Sequence, residues 1–375
     1  MAEEPHQLRG GTLKVDLTAL QHNWRTFRDL AAPAECGAAV KADAYGLGVR
    51  QVAPALWAAG CRTFFVALTS EALELRELLP DATIYVLNGL APGATPILHN
   101  GQIRPCLCSL DEVHEWADYC VSAGVKLPAA LHIESGINRL GLTAHDVKQL
   151  AEQTDLLEAF ELCLVMSHLA SGDDPDAASN VEQISEFDRL RHMLPEAPAS
   201  LANSPGTLLG PDFHFDLVRP GVGLYGGNSH LAAPGAIRPV AHLSSQLIQI
   251  RQVRKGEGVG YGGTWRAARD CRIAVIPIGY ADGYRRTLSS DPHQPDAHVW
   301  IAGYLAPVVG RVSMDMITVD VTDIPAKFAQ RGAEVELLGA NISADELAAR
   351  AGTISYEIFT GLGSRFARVY SAYES

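Results

Sequence analysis

No apolar run in this chain comes near the roughly 20 residues that cross a bilayer as a helix, and its opening stretch, MAEEPHQLRGGTLKVD, is acidic and polar without the apolar segment of a secretory leader. A soluble, cytoplasmic protein with no membrane partner is the expectation. Positive charge is scarce: 30 Lys and Arg face 43 Asp and Glu, a formal net charge of −13. Such a surface repels phosphate backbones and anionic lipid, so nucleic acid is not an expected partner. Low-complexity tracts are missing too. With 47% hydrophobic and 19% charged residues, the composition excludes a disordered, collagenous or coiled-coil protein. Cysteine is present but unpaired in pattern: Cys36, Cys61, Cys106, Cys108, Cys120, Cys163 and Cys271 are an odd seven, scattered through apolar stretches. They read as buried small hydrophobes. The one close pair, Cys106-Leu107-Cys108, lacks the two-residue spacer of a zinc knuckle, and no second pair completes four ligands, so no metal is expected.

What is there is 375 residues, more than one core usually organises, which favours two domains or a large barrel with an appendage. Eight apolar, strand-like runs follow one another through the first two-thirds: 37–43, 62–68, 82–90, 103–109, 126–135, 162–170, 198–204 and 215–226. Helical spacing separates most of them, as in VRQVAPALWAA (49–59), SEALELRELL (70–79) and SLDEVHEWADYCVSA (109–123), where Ser109 or Asp111 is a candidate cap. Parallel strands buried on both faces read as short unbroken apolar runs, and eight such units point to an α/β, TIM-like (β/α)8 barrel over residues 11–235. A doubly wound open sheet shares the pattern; the count of eight decides. The Gly- and Pro-rich stretch 226–239 marks a change of texture. Beyond it lie strand-like runs joined by turns, one helical segment, SADELAARAGTISYEIFTGL (343–362), and a last strand, RFARVYSA. That makes residues 236–375 a mainly-β domain. Residues 1–10 are expected to be flexible, and the strand GTLKVD (11–16) either begins the barrel or crosses to the second domain.

Barrel chemistry gathers at the C-terminal ends of the strands, and those ends are rich in functional groups. The first carries Lys41 and Tyr45, the fifth leads to Asn138-Arg139, the sixth ends on His168, the seventh on Asn203-Ser204 and the eighth on Arg219. A lysine within AAVKADAYG is costly to bury charged, so its ammonium should lose proton affinity or become an imine. Taken singly, Arg219 before a proline, Ser204 at a helix start or Tyr261 among glycines are ordinary surface, cap and turn residues. GVGYGG matches neither the dinucleotide nor the P-loop spacing.

In their order along the chain these segments resemble those of one family. AVKADAYGLG is similar to the cofactor-lysine segment of alanine racemases, and the resemblance continues at SGINRLGL (135–142), SHLASGDDP (167–175), LANSPG (201–206), RPGVGLYG (219–226), GVGYGGTW (258–265), PIGYADGY (277–284), GRVSMDM (310–316) and SYEIFTGLGSRFARVY (355–370). It implies pyridoxal 5′-phosphate as cofactor, interconversion of L- and D-alanine, and a head-to-tail homodimer. D-alanine would feed peptidoglycan or be drawn into catabolism.

The resemblance also assigns residues. Lys41 would carry the cofactor and serve as one base, with Tyr261, reaching the partner subunit's site, as the other. Inversion requires two such groups on opposite faces of the α-carbon. A phenol ionising near pH ~10 is a weak base at neutrality, so His168, in contact with Arg219, would assist it. Arg219 would face the pyridine nitrogen. Tyr45, Asn203, Ser204, Tyr356 and the backbone at Gly221-Val222 would hold the cofactor, chiefly its phosphate. Arg139, Met314 and Asp315 would meet the substrate, and Tyr280 and Tyr284 would narrow the entrance to suit a methyl side chain. One departure stands out: His132 occupies the place of a lysine that many members carbamylate to steer the arginine equivalent to Arg139. A chloride, a nearby acid or a neutral hydrogen bond are the open substitutes. Two other readings are a broad-specificity amino-acid racemase of the same fold and a non-catalytic carrier of the cofactor; the latter lacks a second domain. Fold-sharing decarboxylases carry a cysteine-bearing substrate loop with no counterpart here.

Overall fold

The computed structural model describes residues 9–228, 232–290 and 297–373. Most of the amino terminus expected to be flexible, and part of the 226–239 stretch, lie outside the described residues. Each of the eight predicted runs overlaps a short strand: Ala38–Ala39, Thr63–Val66, Thr83–Val86, Arg104–Leu107, Pro128–His132, Glu161–Met166, Ala199–Ser200 and Leu217–Val218. The first seven pair in parallel and in chain order. Closure comes from the eighth. Leu217–Val218 pairs in parallel with Glu35–Cys36, a short strand immediately before the first run. On its other side, Asp216 N donates to Ala199 O (3.0 Å) and Arg219 N to Ala202 O (2.8 Å). The fold is therefore a (β/α)8 barrel, with a mainly-β domain at its carboxyl end.

Local signals place the helices between the strands. In Leu110–Ala123 the Ser109 hydroxyl accepts from Glu112 N (3.3 Å), and Gly124 ends the helix at φ 63°. The buried face, Val113, Trp116, Ala117 and Cys120, has the spacing of one helical stripe. Each large apolar side chain buried this way stabilises by roughly 1.5–3 kcal/mol.

The strand Gly11–Val15 crosses over. It pairs antiparallel with Ala241–Gln246 and parallel with Ala367–Tyr370, within a six-stranded sheet that also holds His298–Ile301, Tyr304–Pro307 and Glu334–Leu338. Asp16 then caps the helix Leu17–Ala31, accepting from Thr18 N and Ala19 N, and that helix returns Trp24 and Phe27 to the barrel. A three-stranded sheet, Gln249–Val253, Cys271–Ile276 and Ile317–Asp320, completes the β domain with a small hairpin, Gly258–Val259 and Trp265–Arg266. The single helical segment expected over 343–362 is two helices, Ala344–Ala351 and Ser355–Thr360, because Gly352 turns left-handed at φ 67° between them.

Candidate active site

Lys41 leaves the first strand into an unusual backbone. Ala42, Asp43, Ala44 and Tyr45 all sit in the left-handed region, with φ between 53° and 56°, at a cost of roughly 1–2 kcal/mol per L-residue. Two carboxylates compensate. Glu71 Oε1 accepts from Ala42 N (2.7 Å) while its Oε2 accepts from Ala67 N (2.8 Å) and Leu68 N (3.1 Å). Asp43 Oδ1 accepts from Val49 N (2.7 Å). Tyr45 is thereby buried against Tyr225, their ring centroids 4.7 Å apart, with the Tyr356 ring 6.0 Å away. Burial lowers the Lys41 pKa; Arg139 and Arg219 push it the same way, and Glu71 opposes them. A cavity of about 480 Å³ opens beside Lys41, lined also by Tyr45, Glu71, Asn88 and Tyr356.

Arg219 closes the eighth strand as a buried cation held by neutral acceptors. It donates to the Ser200 hydroxyl, to Ser167 O (2.6 Å) and to Leu201 O (3.4 Å), and lies 5.8 Å over the Phe65 ring. Burial brings its pKa down to about 10, so it remains a cation at neutral pH. It reaches the carbonyl of Ser167, one residue before His168, where a contact with His168 itself was expected. The imidazole instead takes the Asn203 amide at Nε2 (3.4 Å), and burial, with Arg219 next, holds its pKa far below the ordinary histidine value.

Asn203 is the helix cap here, accepting from Gly206 N (2.9 Å), which releases Ser204 for another task. The Ser204 hydroxyl accepts from Gly221 N (2.7 Å) and Gly223 N (3.1 Å), leaving its own hydrogen to donate. A Cβ on Gly221 would fall 2.3 Å from the Tyr45 hydroxyl, so only glycine admits that contact. Buried nearby, Ser355 Oγ has no hydrogen-bond partner. The chemistry of this donor set fits pyridoxal 5′-phosphate: the hydroxyls of Tyr45 and Ser204 meet at the 221–223 turn with Ser355 close by, Tyr356 lines the cavity beside Lys41 and Tyr45, and Arg139 and Arg219 act on Lys41 against the carboxylate of Glu71.

Arg139 is exposed, next to Asn138 at φ 53°. His132 lies below it in the barrel, buried, with Nε2 unpartnered and Nδ1 3.8 Å from Cys108 Sγ. Burial, then Arg219 and Arg139, against the pull of Glu134, lower its pKa to about 4. At neutral pH His132 is uncharged.

The remaining predicted residues lie in the β domain. Tyr261 heads the turn Tyr261–Gly263 and is 70% exposed. Met314, at 53%, and Tyr280, at 42%, are exposed as well. Tyr284 corrects the expectation of a two-tyrosine gate: Gly283 turns the chain inward at φ 101°, and the Tyr284 ring is packed into the core at 4% exposure. Asp315 is bound to Arg365, Nη1 to Oδ1 at 2.7 Å. Residues that sequence reasoning passed over complete the site. Glu71 pins the turn after Lys41, Ser200 receives Arg219, and Gln183 fastens the His168 loop by accepting from Ala170 N (2.8 Å) and donating to His168 O (3.0 Å). Gln183 had a usable signal, since it shares a helical stripe with Phe187 and Leu190, where a polar residue needs buried partners.

Comparison with known proteins agrees with this geometry. Residues 15–229 match the family model described as alanine racemase, N-terminal domain, and 240–370 that described as alanine racemase, C-terminal domain. The alanine racemase of Methylobacterium nodulans is 48% identical over 361 residues, covering 96% of both chains. That of Brucella ovis is 44% identical over 375 residues, covering 96% of this chain and 93% of the relative. Among solved structures, alanine racemase from Bartonella henselae with covalently bound pyridoxal phosphate has a TM-score of 0.92 at 40% identity, covering 96% of this chain and 99% of that one. Biosynthetic alanine racemase from Pseudomonas aeruginosa gives 0.88 at 34% identity, with 97% and 100% covered.

Proposed function

This chain belongs to the alanine racemase family, and we propose that it inverts alanine with Lys41 and Tyr261 as opposed proton carriers. Its reaction is the pyridoxal-phosphate-dependent interconversion of L- and D-alanine. The observation that carries the residue assignment is Lys41 itself: a half-buried amine flanked by Arg139 and Arg219 gives up its proton more readily than a solvated one.

Pyridoxal 5′-phosphate, when bound, supplies the electron sink that makes the α-hydrogen of alanine acidic. Tyr45, Ser204, Tyr356 and the 221–222 backbone would hold its phosphate, with Asn203 capping the helix that begins at Ser204. Arg219, still protonated at neutral pH, would face the cofactor's ring as a donor that does not release its proton. Restraint of that kind disfavours decarboxylation and transamination. Arg139 receives the substrate carboxylate. Lys41 moves the proton on one face of the α-carbon and Tyr261 on the other, with neutral His168 beside the path. Tyr280 and Met314 bound the substrate.

We take residues 11–235 as the barrel and 236–375 as the β domain, with 11–15 joined to the latter. The working unit in this reading is a homodimer in which each β domain closes its partner's barrel; the exposure of Tyr261, Tyr280 and Met314 supports it. A cytoplasmic setting is supported by the seven free cysteines, and a role in providing D-alanine for peptidoglycan by the likeness to the biosynthetic Pseudomonas enzyme.

The test is incubation of the holoenzyme with L-alanine in D₂O, following both enantiomers and α-deuterium. Deuterated D-alanine is expected. Exchange without inversion would remove Tyr261 from the scheme, and absence of exchange would overturn proton abstraction altogether. A second expectation concerns His132. An uncharged imidazole forms no stable carbamate, so the rate should not respond to bicarbonate at fixed pH and ionic strength; a rate that climbs with bicarbonate would contradict it.

A further inference from the structure

Three segments of the β domain converge on one side chain. Arg365 donates from Nε to Asp282 Oδ1 (2.7 Å), from Nη2 to Asp282 Oδ2 (3.1 Å) and from Nη1 to Asp315 Oδ1 (2.7 Å). Asp282 is buried, its side chain 3% exposed, and it also accepts from Gly279 N (2.9 Å). The backbones it joins are in direct contact. Tyr280 N donates to Ser313 O and Ala281 N to Met314 O, each at 3.0 Å, and Gly363 N donates to Asp282 O at 2.9 Å. A Cβ on Gly279 would lie 2.3 Å from the carbonyl oxygens of Ser313 and Met314, so the two turns approach as closely as backbones can.

The bond to Asp282 has a structural reason, since a buried carboxylate without a partner is costly. The bond to Asp315 has none of that kind. Arg365 and Asp315 are 49% and 53% exposed, and half-exposed ion pairs contribute little to stability. What the third bond does is geometric: it fixes the 313–316 turn, whose Met314 and Met316 side chains point outward, against the turn that carries Tyr280.

The geometry points to Arg365 as a positioning residue for the substrate: by holding Asp315, it sets the spacing between the Met314 turn and Tyr280 and so the fit of a methyl side chain. Asp315 then acts through Arg365 and does not itself meet alanine. The inference rests on the reading that this face bounds the substrate, and the test separates the two. Arg365→Lys keeps a cation for buried Asp282 but cannot span both carboxylates; Asp315→Ala removes the other end. Each holoenzyme variant is assayed for kcat and KM with alanine and with serine, and for melting temperature with and without cofactor. Arg365→Lys should raise KM for alanine about tenfold with kcat changed less than about threefold, the pattern of lost substrate positioning. Its preference for alanine over serine should fall by a similar factor, and its melting temperature should stay near that of the native protein. Combined with Asp315→Ala, it should add nothing to the single change, as expected for two ends of one contact. A KM effect from Asp315→Ala alone would leave the substrate-facing reading intact and overturn the part given to Arg365. No KM effect from either change would overturn both. A lowered melting temperature with unchanged KM would reduce Arg365 to a structural clamp and overturn the inference.

Discussion

Lys41→Ala is expected to lower the rate of alanine interconversion by at least about 10⁴-fold, the upper range for a positioned proton carrier, because the amine has two duties. It is the group that would hold the cofactor and one of the two that move the proton. The surrounding charges sharpen the prediction. With burial and two arginines lowering its proton affinity, the useful property of Lys41 is that it can give up its proton and become neutral, and a permanent cation in its place should fail as well. Lys41→Arg, whose guanidinium holds its proton above pH ~12, is therefore expected to be as inactive as Lys41→Ala, although it preserves the charge. Chiral chromatography of the products gives the rate, and absorbance after gel filtration gives retained cofactor. A Lys41→Ala rate within about tenfold of the native one would remove Lys41 from the proton-transfer step.

The eight barrel strands were legible because a strand buried on both faces leaves an unbroken apolar run, as TFFV does at Thr63–Val66. GTLKV was legible as a strand, but the domain it joins was not, because it alternates as any half-buried strand would and its partners lie far along the chain at Ala241–Gln246 and Ala367–Tyr370. Lys41 stood out as a charge in apolar surroundings. The left-handed turn behind it did not, since KADAY has the composition of an ordinary helix and is held in its strained form by Glu71, 29 positions beyond Ala42. The same gap in sequence hid Arg365, which meets Asp282 across 83 positions. Tyr280 and Tyr284 looked equivalent in GYADGY; only the inward turn at Gly283 distinguishes a surface ring from a core one.

Tyr261→Phe should cost about 10²–10⁴-fold in racemisation, the range for losing a general acid or base, while one face of the α-carbon still exchanges. In D₂O the variant is expected to wash deuterium into one enantiomer of alanine and to leave the other unlabelled, because Lys41 still serves its own side. The placement of Tyr261 then gives a stronger test. It is 70% exposed in its own chain, so its partner in catalysis is expected to be the Lys41 of the other subunit. If so, Lys41→Ala and Tyr261→Phe chains are each inactive alone but complementary together. In a mixed dimer one site combines the intact Lys41 of one chain with the intact Tyr261 of the other, and the second site carries both lesions. Random reassortment makes half the dimers mixed, each with one working site of two, so the equimolar mixture should recover about a quarter of native activity. Recovery should require refolding or slow exchange of subunits, and it should scale with the mixed-dimer fraction measured by native mass spectrometry. A mixture that stays inactive while mixed dimers form would return Tyr261 to its own chain's barrel, or strip it of the role.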